Sequence, residues 1–409
     1  MIAASLGAFL YYRHSQGGDV RGSTVEFDPN ATPNAPHPSA TAPVVWPTFG
    51  YDENRLHVAP QSKLRPPFHV VWRAGGATLL EFPPAIAFQR LYLANGSGRL
   101  LAVSTRTGAR AWTYDAHRCQ AASPAVSRYK HGTVYAVFLN RRPCKAKKPN
   151  DGLVVAVSAG TGKLRWQRHI GASETSPLLL GDHLYVGDWQ GHVYSLDART
   201  GKIEWTFTAR GAIKGAIASA AGRVYVGSYD GHLYAIGAHS GKLLWRARGD
   251  RRLFHHGRFY SSPSVAYGRV YIGSTDGKVY SFGATTGRRR WSHSTHGYVY
   301  GSPAIWNDRI FIGSYDKYFY CFDAATGDLR WRFHADNPIS GSATVVNGVV
   351  YFASLKGSRK HGRTYALRAT NGKLLWSFPD GEYSPIVADV KRLYLVGFAK
   401  LFGLEPTAR

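Results

Sequence analysis

The stretch GRVYVGSYDGHLYAIGAHSGKLLW, residues 222 to 245, alternates apolar and polar positions in short runs. RVYVGS and HLYAIG repeat with period two, which puts successive side chains on opposite faces of an extended chain and predicts half-buried strands. YDG between them is a tight-turn signal, its glycine supplying a positive φ. HSGK is a second turn in which the glycine again takes the left-handed conformation, and KLLWRA is a further strand. A near-copy, GRVYIGSTDGKVYSFGATTGRRRW, occupies residues 268 to 291, and SPSVAY just before it predicts a short buried strand. The predicted unit is four antiparallel strands: A (SPxVA), B (VYVGS), C (LYAI) and D (KLLW). No helix-length 3.6-residue pattern separates one unit from the next.

The unit recurs along the chain. A glycine preceded by Thr, Ser or Asn and followed four residues later by tryptophan occurs seven times, ending at Trp112, Trp166, Trp205, Trp245, Trp291, Trp331 and Trp376, with a mean spacing of 44 residues. Four-stranded units at this period, without helices, predict a β-propeller. The tryptophan falls late in strand D, where a large ring fills the wedge between neighbouring blades. After Trp376, SPIVADVKRLYLVGFAKLFGLEP supplies strands A, B and C of an eighth unit but no closing tryptophan. FHVVW, ending at Trp72, is a strand D with no turn before it. Joining the two predicts an all-β, eight-bladed propeller of four-stranded antiparallel blades, its ring closed by an N-terminal strand. Such closure removes the sheet edges an open array would expose.

Composition agrees with an all-β chain: 45 glycines and 25 tyrosines against one methionine among 409 residues. The formal net charge of +26 favours polyanionic surroundings such as anionic lipid or cell-wall polymer, or marks a basic soluble surface. No RNP, helix-turn-helix or zinc-finger pattern points to nucleic acid. The apolar run Ile2 to Tyr12 is 11 residues long, about half of what a membrane span needs, and reads as a truncated anchor over residues 1–12. Polar, Pro-rich sequence over 13–45 reads as a stalk, leaving 46–409 as the propeller. Cys119, Cys144 and Cys321 show no CxxC spacing, which excludes a zinc ribbon or c-type haem.

The repeat YxGSxDGxxYAxxxxTGKxxW, together with WPTFGYDENR at Trp46 to Arg55, resembles the pyrroloquinoline-quinone-type repeat propellers. That family includes quinone-dependent dehydrogenases and the propeller lipoprotein of the bacterial outer-membrane assembly machine. The resemblance implies a non-catalytic scaffold, membrane-attached and extracytoplasmic, that binds a protein or an anionic cell-envelope component and needs no cofactor. Its other branch implies an oxidoreductase holding pyrroloquinoline quinone with calcium in the propeller funnel. No catalytic residue or calcium-ligand set maps onto this chain, and no GxSxG, P-loop or Rossmann pattern is present.

In a four-stranded meander, A–B and C–D turns lie on one face of the ring, and B–C and D–A connections on the other. The C–D turns are short and uniform. The other face varies. Two long B–C connections carry Arg141, Arg142, Lys145, Lys147 and Lys148 in blade 2, and Lys356, Arg359, Lys360 and Arg363 in blade 7. These are solvated loops, or a surface for an acidic partner. Cys119 and Cys144 fall on this face of blade 2, so a disulfide between them would close a 25-residue loop and imply an oxidising compartment. Cys321 reads as a buried filler. The residue two before the Ser-Pro position is Glu81, Ala121, Glu174, Lys214, Tyr260, Tyr300, Ser340 and Glu382 in blades 1 to 8. This mixed column surrounds the funnel mouth, as a hydrated channel lining or as a binding site. Glu174 and Lys214 sit on neighbouring blades and are placed to pair. His255 and His256 are adjacent on the chain and so face opposite ways.

Overall fold

The computed structural model describes residues 19–20, 22, 24–31, 44–76, 78–142, 151–250, 257–356 and 362–407. Eight antiparallel sheets form a ring. Blade 4 shows the plan: strand A (Ala218–Ala220), B (Arg223–Gly227), C (His232–Gly237) and D (Leu243–Arg248), paired in that order. Strands B and C are buried almost throughout, while strand D alternates. The inner strands are thus covered on both sides by neighbouring blades, and the rim faces water.

Adjacent blades are latched by the recurrent tryptophan. Trp205, in strand D of blade 3 (Ile203–Thr208), donates its Nε1–H to the Ala238 carbonyl of blade 4 at 2.9 Å. Tyr185 of blade 3 donates its hydroxyl to the same oxygen at 3.1 Å. The indole lies on Gly241, the turn glycine of blade 4, whose φ is +65°. A Cβ there would sit 2.7 Å from the ring, so the glycine is needed for close approach as well as for the backbone conformation. The same pairing joins Trp72 to Gly108, Trp112 to Gly162, Trp166 to Gly201, Trp245 to Gly287, Trp291 to Gly327 and Trp331 to Gly372. Trp376 has no such turn to meet, because blade 8 is made from both chain ends. It packs edge-on against Phe68 instead, 5.5 Å between ring centres.

The ring closes as the repeats predict. Phe68–Gly75 pairs antiparallel with Lys400–Pro406, the third strand of blade 8, with Phe68 opposite Pro406 and Gly75 opposite Lys400. Leu401, Phe402 and Leu404 are buried in this seam.

Two blades depart from the four-stranded plan. Blade 1 gains an inner strand, Val44–Trp46, and blade 7 gains Val58–Ala59, which pairs parallel with Val345 and Val346. The cause is the leading segment, residues 44 to 59, which circles the inside of the ring. Strand A is innermost, so its inward N–H groups need acceptors. The carbonyl of Pro47 accepts from Val126 of blade 2 at 2.8 Å, and Glu53 from Ser219 of blade 4 at 2.7 Å. Asn54 accepts from Val265 of blade 5 at 2.9 Å, Leu56 from Ile305 of blade 6 at 3.0 Å, and His57 from Val345 of blade 7 at 2.8 Å. Arg55 is fully buried and adds a second link to blade 4 and one to blade 3: Nε donates to Ile217 O at 2.8 Å and Nη2 to Pro177 O at 3.3 Å. The described residues between 19 and 31 lie outside, against blades 5 and 6. Glu26 pairs with Arg290 at 2.7 Å, and Phe27 packs on Tyr267 at 5.1 Å.

Candidate functional site

The Ser-Pro positions of strand A stitch neighbouring blades at the funnel neck. Ser123 N–H donates to Ser176 Oγ at 2.9 Å, Ala216 N–H to Ser262 Oγ at 2.8 Å, Ser262 N–H to Ser302 Oγ at 3.2 Å, and Ser302 N–H to Ser342 Oγ at 2.9 Å. This girdle fixes the residues two positions earlier at the mouth. They surround a cavity of about 90 Å³, with Phe49 of the leading segment in its lining. That volume holds several waters. The funnel therefore opens on the variable face and is blocked below by residues 44–59.

Glu81, Glu174, Lys214, Tyr260, Tyr300 and Ser340 line the cavity. Blade 8 contributes Tyr383 to the lining, while Glu382 is buried, 2 % exposed. Ala121 is not in the lining. The expected pair is formed, with Lys214 Nζ 2.8 Å from Glu174 Oε1. The same ammonium lies 4.3 Å above the Trp189 ring and 5.2 Å from the Tyr229 ring, a cation–π cage. The Glu81 carboxyl is pushed up, first by burial and then by the negative charge of Glu174 and Glu382. The Tyr260 and Tyr229 hydroxyls are driven up too, in both cases mainly by burial.

From this cage an aromatic arc runs over blades 4 to 6. Tyr229 and Tyr260 are 6.1 Å apart, Tyr260 and Tyr300 5.2 Å, and Tyr300 and Tyr315 5.0 Å. Tyr298 stands 5.8 Å from Tyr300 and is 51 % exposed. The strand A column did not contain Trp189, Tyr229 or Tyr315. They occupy the third position of the B–C turns GDWQG, GSYDG and GSYDK, and aligning those turns is the signal that finds them.

The basic loops are described only in part; Cys144, Lys145, Lys147, Lys148, Arg359 and Lys360 lie outside the described residues, as do His255 and His256. Arg141 and Arg142 are turned to nearby acids, Arg141 at 3.5 Å from Asp151 of its own blade and Arg142 at 2.8 Å from Asp115 of blade 1. Arg363 is 3.6 Å from Asp336, and Lys356 lies over the Phe398 ring. Cys119 is buried and disulfide-bonded, and Cys321 is buried and free, its thiol pushed up to about 12 by burial.

A quinone with calcium does not fit this mouth. A cofactor pocket runs to several hundred Å³, the cavity is about 90 Å³, and Glu174 is already engaged by Lys214. Among the described residues no three His, Cys, Asp or Glu side chains are grouped to hold a metal ion.

A closed ring of four-stranded blades, latched tryptophan to glycine and blocked at one end by its own leading segment, defines an eight-bladed propeller of the quinoprotein repeat type. The chain belongs to the family described as outer membrane protein assembly factor BamB, which matches residues 68–179, 150–303 and 295–404. It is 29 % identical over 153 residues to the protein of that name from Shewanella oneidensis, covering 34 % of this chain and 35 % of the relative. It is 32 % identical over 149 residues to the serine/threonine-protein kinase AfsK of Streptomyces griseus, covering 33 % of this chain and 17 % of the kinase. The alignments thus span about a third and about a sixth of these relatives. Among solved structures, BamB from Moraxella catarrhalis superposes with a TM-score of 0.65 at 19 % identity, over 84 % of this chain and 99 % of that one. The quinohemoprotein alcohol dehydrogenase of Comamonas testosteroni gives 0.74 at 13 % identity, over 91 % and 82 %. Both likenesses concern the fold.

Proposed function

We propose that this chain is a non-catalytic scaffold, tethered through residues 1–12 outside a bacterial membrane, that docks a protein partner of the cell envelope on its open, variable face. The observation that carries the reading is the aromatic arc. Tyrosines 229, 260, 298, 300 and 315 stand on rigid blade turns beside a caged lysine, with Tyr298 half exposed. Rigid tyrosines around a shallow mouth supply large contact area at low entropy cost, the composition that interface hot spots favour. Membership of the BamB family supports an envelope setting. Among the described residues no helix is long and apolar enough to cross a membrane, so the tether rests on the apolar run Ile2 to Tyr12. The basic loop residues Lys145, Lys147 and Lys148 would widen the surface towards an acidic partner.

A photo-crosslinking amino acid placed at Tyr298, and separately at Arg199 on the opposite face, tests the reading in envelope extracts. One discrete adduct from position 298, weakened about tenfold or more by Tyr300→Ala and absent from position 199, is expected. Equal labelling from both faces, or an adduct indifferent to Tyr300→Ala and to charge reversal of the three lysines, would remove the open face from the argument.

A further inference from the structure

The closed face carries a second concavity that no part of the reading above uses. Where the leading segment leaves blade 7, residues 58 to 66 cross the A–B turns of blades 6 and 7 and leave a groove of about 650 Å³. That is the size of a small-molecule or oligosaccharide pocket.

Its lining is chemically one-sided. Lys63, Arg65 and Arg368 line it, and no Asp or Glu does. All three are exposed, and none is ion-paired to a described residue. Elsewhere on this protein described arginines turn to an acid, as Arg142 does to Asp115 of the preceding blade, Arg290 to Glu26 and Arg330 to Asp323 of its own blade. Here three cations share one concavity without an acid in its lining.

Trp306 forms one wall. It is the last residue of strand A in blade 6 (Ala304–Trp306). The same position holds Ala87, Ser127, Leu180, Ala220, Ala266, Val346 and Ala388 in the other blades. Trp306 is therefore not one of the blade-latching tryptophans, and the repeat does not require it. The ring is half-buried against the blade 6–7 core, and a Cβ on Gly348 would lie 3.7 Å from its edge. Asn347 is fixed in the lining by donating Nδ2–H to the Lys63 carbonyl at 2.8 Å. Ser62, 4 % exposed, also lines the groove, and its buried hydroxyl has no hydrogen-bond partner among the described residues. A buried hydroxyl left unpaired costs stability unless something completes it.

We propose that this groove binds an anionic saccharide. The apolar face of one pyranose ring lies on Trp306, its carboxylate or phosphate is taken by Arg65 and Arg368 with Lys63, and a ring hydroxyl completes the hydrogen bond of Ser62. Arginine suits planar, bidentate recognition of such oxyanions, and the net charge of +26 raises the local concentration of polyanions. A single-stranded nucleic acid would call for several stacking rings along a longer track, and this groove has one aromatic ring in its lining. The site lies on the opposite face from the aromatic arc and stands or falls independently of it.

Calorimetric titration of the full chain at low salt tests the proposal, with trigalacturonate, mannose 6-phosphate, maltotriose, inorganic phosphate and the oligonucleotide dT6 as probes. Saturable binding of trigalacturonate or mannose 6-phosphate, with maltotriose and inorganic phosphate each weaker by about tenfold or more, is expected. The relative strength of the two charged sugars tells carboxylated from phosphorylated sources. The double substitution Arg65→Ser with Arg368→Ser, both exposed, should weaken binding about tenfold or more at an unchanged melting temperature. Trp306→Ala should weaken it and Trp306→Phe restore most of it. No saturable heat from either charged sugar at millimolar concentration, an unchanged affinity in the arginine double variant, neutral sugar binding as tightly as charged sugar, or dT6 binding more tightly than both, would each overturn it.

Discussion

Two glycines of one blade separate the contribution of the tryptophan latch from that of backbone conformation. Gly222 and Gly241 both belong to blade 4 and have similar φ, +73° and +65°. Around Gly222 nothing lies within 4 Å of where a Cβ would stand, whereas at Gly241 the Trp205 ring lies 2.7 Å away. Gly222→Ala therefore meets only the left-handed penalty, about 1–2 kcal/mol, partly offset by about 0.4–1 kcal/mol from a stiffer unfolded chain. Gly241→Ala meets the same net cost of roughly 1 kcal/mol and adds the overpacking of a ring held by neighbouring blades, about 1–3 kcal/mol. Urea titrations followed by far-UV circular dichroism should show a clearly larger drop in midpoint for Gly241→Ala, with both slopes unchanged. Adding Trp205→Leu should make the second alanine cheaper than it is alone, because the two positions touch and their effects do not add. Equal midpoints for the two alanine variants, or additive effects in the double variant, would mean that the turn glycines are there for the backbone alone and that the indole does not hold the blades together.

Burial pushes the Asp52 carboxyl up from 3.8 to about 7, against opposing hydrogen bonds from Leu56 and Arg55 and the Arg55 charge. The folded protein thus keeps a proton that the unfolded chain releases, and stability falls as pH rises from about 4 to about 7. Asp52→Asn should be neutral at pH 4 and stabilising at pH 8, by at most on the order of 4 kcal/mol; a pH-independent difference in thermal melts would refute this. Lys214→Ala leaves Glu174, whose side chain is 10 % exposed, without its cation, and should lose about 2 kcal/mol at neutral pH. Most of that loss should return in Lys214→Ala with Glu174→Gln, as read by urea midpoints, and a loss that persists would show the pair to be incidental. Non-reducing peptide mapping should recover Cys119 linked to Cys144, and reduction should cost roughly 3 kcal/mol for a loop of this length; recovery of Cys144 as a free thiol would refute the linkage.

The ring was legible because its information is local and repeated. Alternation, the turn glycine and the late tryptophan each recur every 44 residues on average, and the missing pieces at the two ends match. The path of residues 44 to 59 was not legible, because it carries no periodicity. Its hydrogen bonds go to the inward edges of strand A, which exist as a surface only once the ring has formed. Glu382 stands two residues before Ser384, as the column requires, yet it is buried, and Tyr383 lines the cavity in blade 8; the pattern carries no sign of that difference. Trp189 and Tyr229 escaped because they lie one turn outward from the column compared, and only the cage around Lys214 makes them part of the mouth. Trp306 was not singled out, since periodicity says which side of a strand a residue faces and not which loop crosses beside it.

The two faces of the ring are unequal for a physical reason. At the A–B and C–D end, each C–D turn of blades 1 to 7 presents a glycine to the preceding blade's tryptophan, and the inner edges meet the carbonyls of the leading segment, so substitutions at those positions meet packing. At the B–C and D–A end, the serine girdle fixes the backbone, and the side chains two residues earlier project into water. Nothing in the blade geometry chooses between glutamate, lysine and tyrosine at those positions. Where the fold leaves residue type free and the chain still sets acids opposite an aromatic arc around one caged lysine, the choice answers to something outside the fold. The same logic singles out Trp306 on the packed face, where the repeat asks for a small residue or an aliphatic one and a tryptophan stands beside three cations with no ion-pair partner among the described residues.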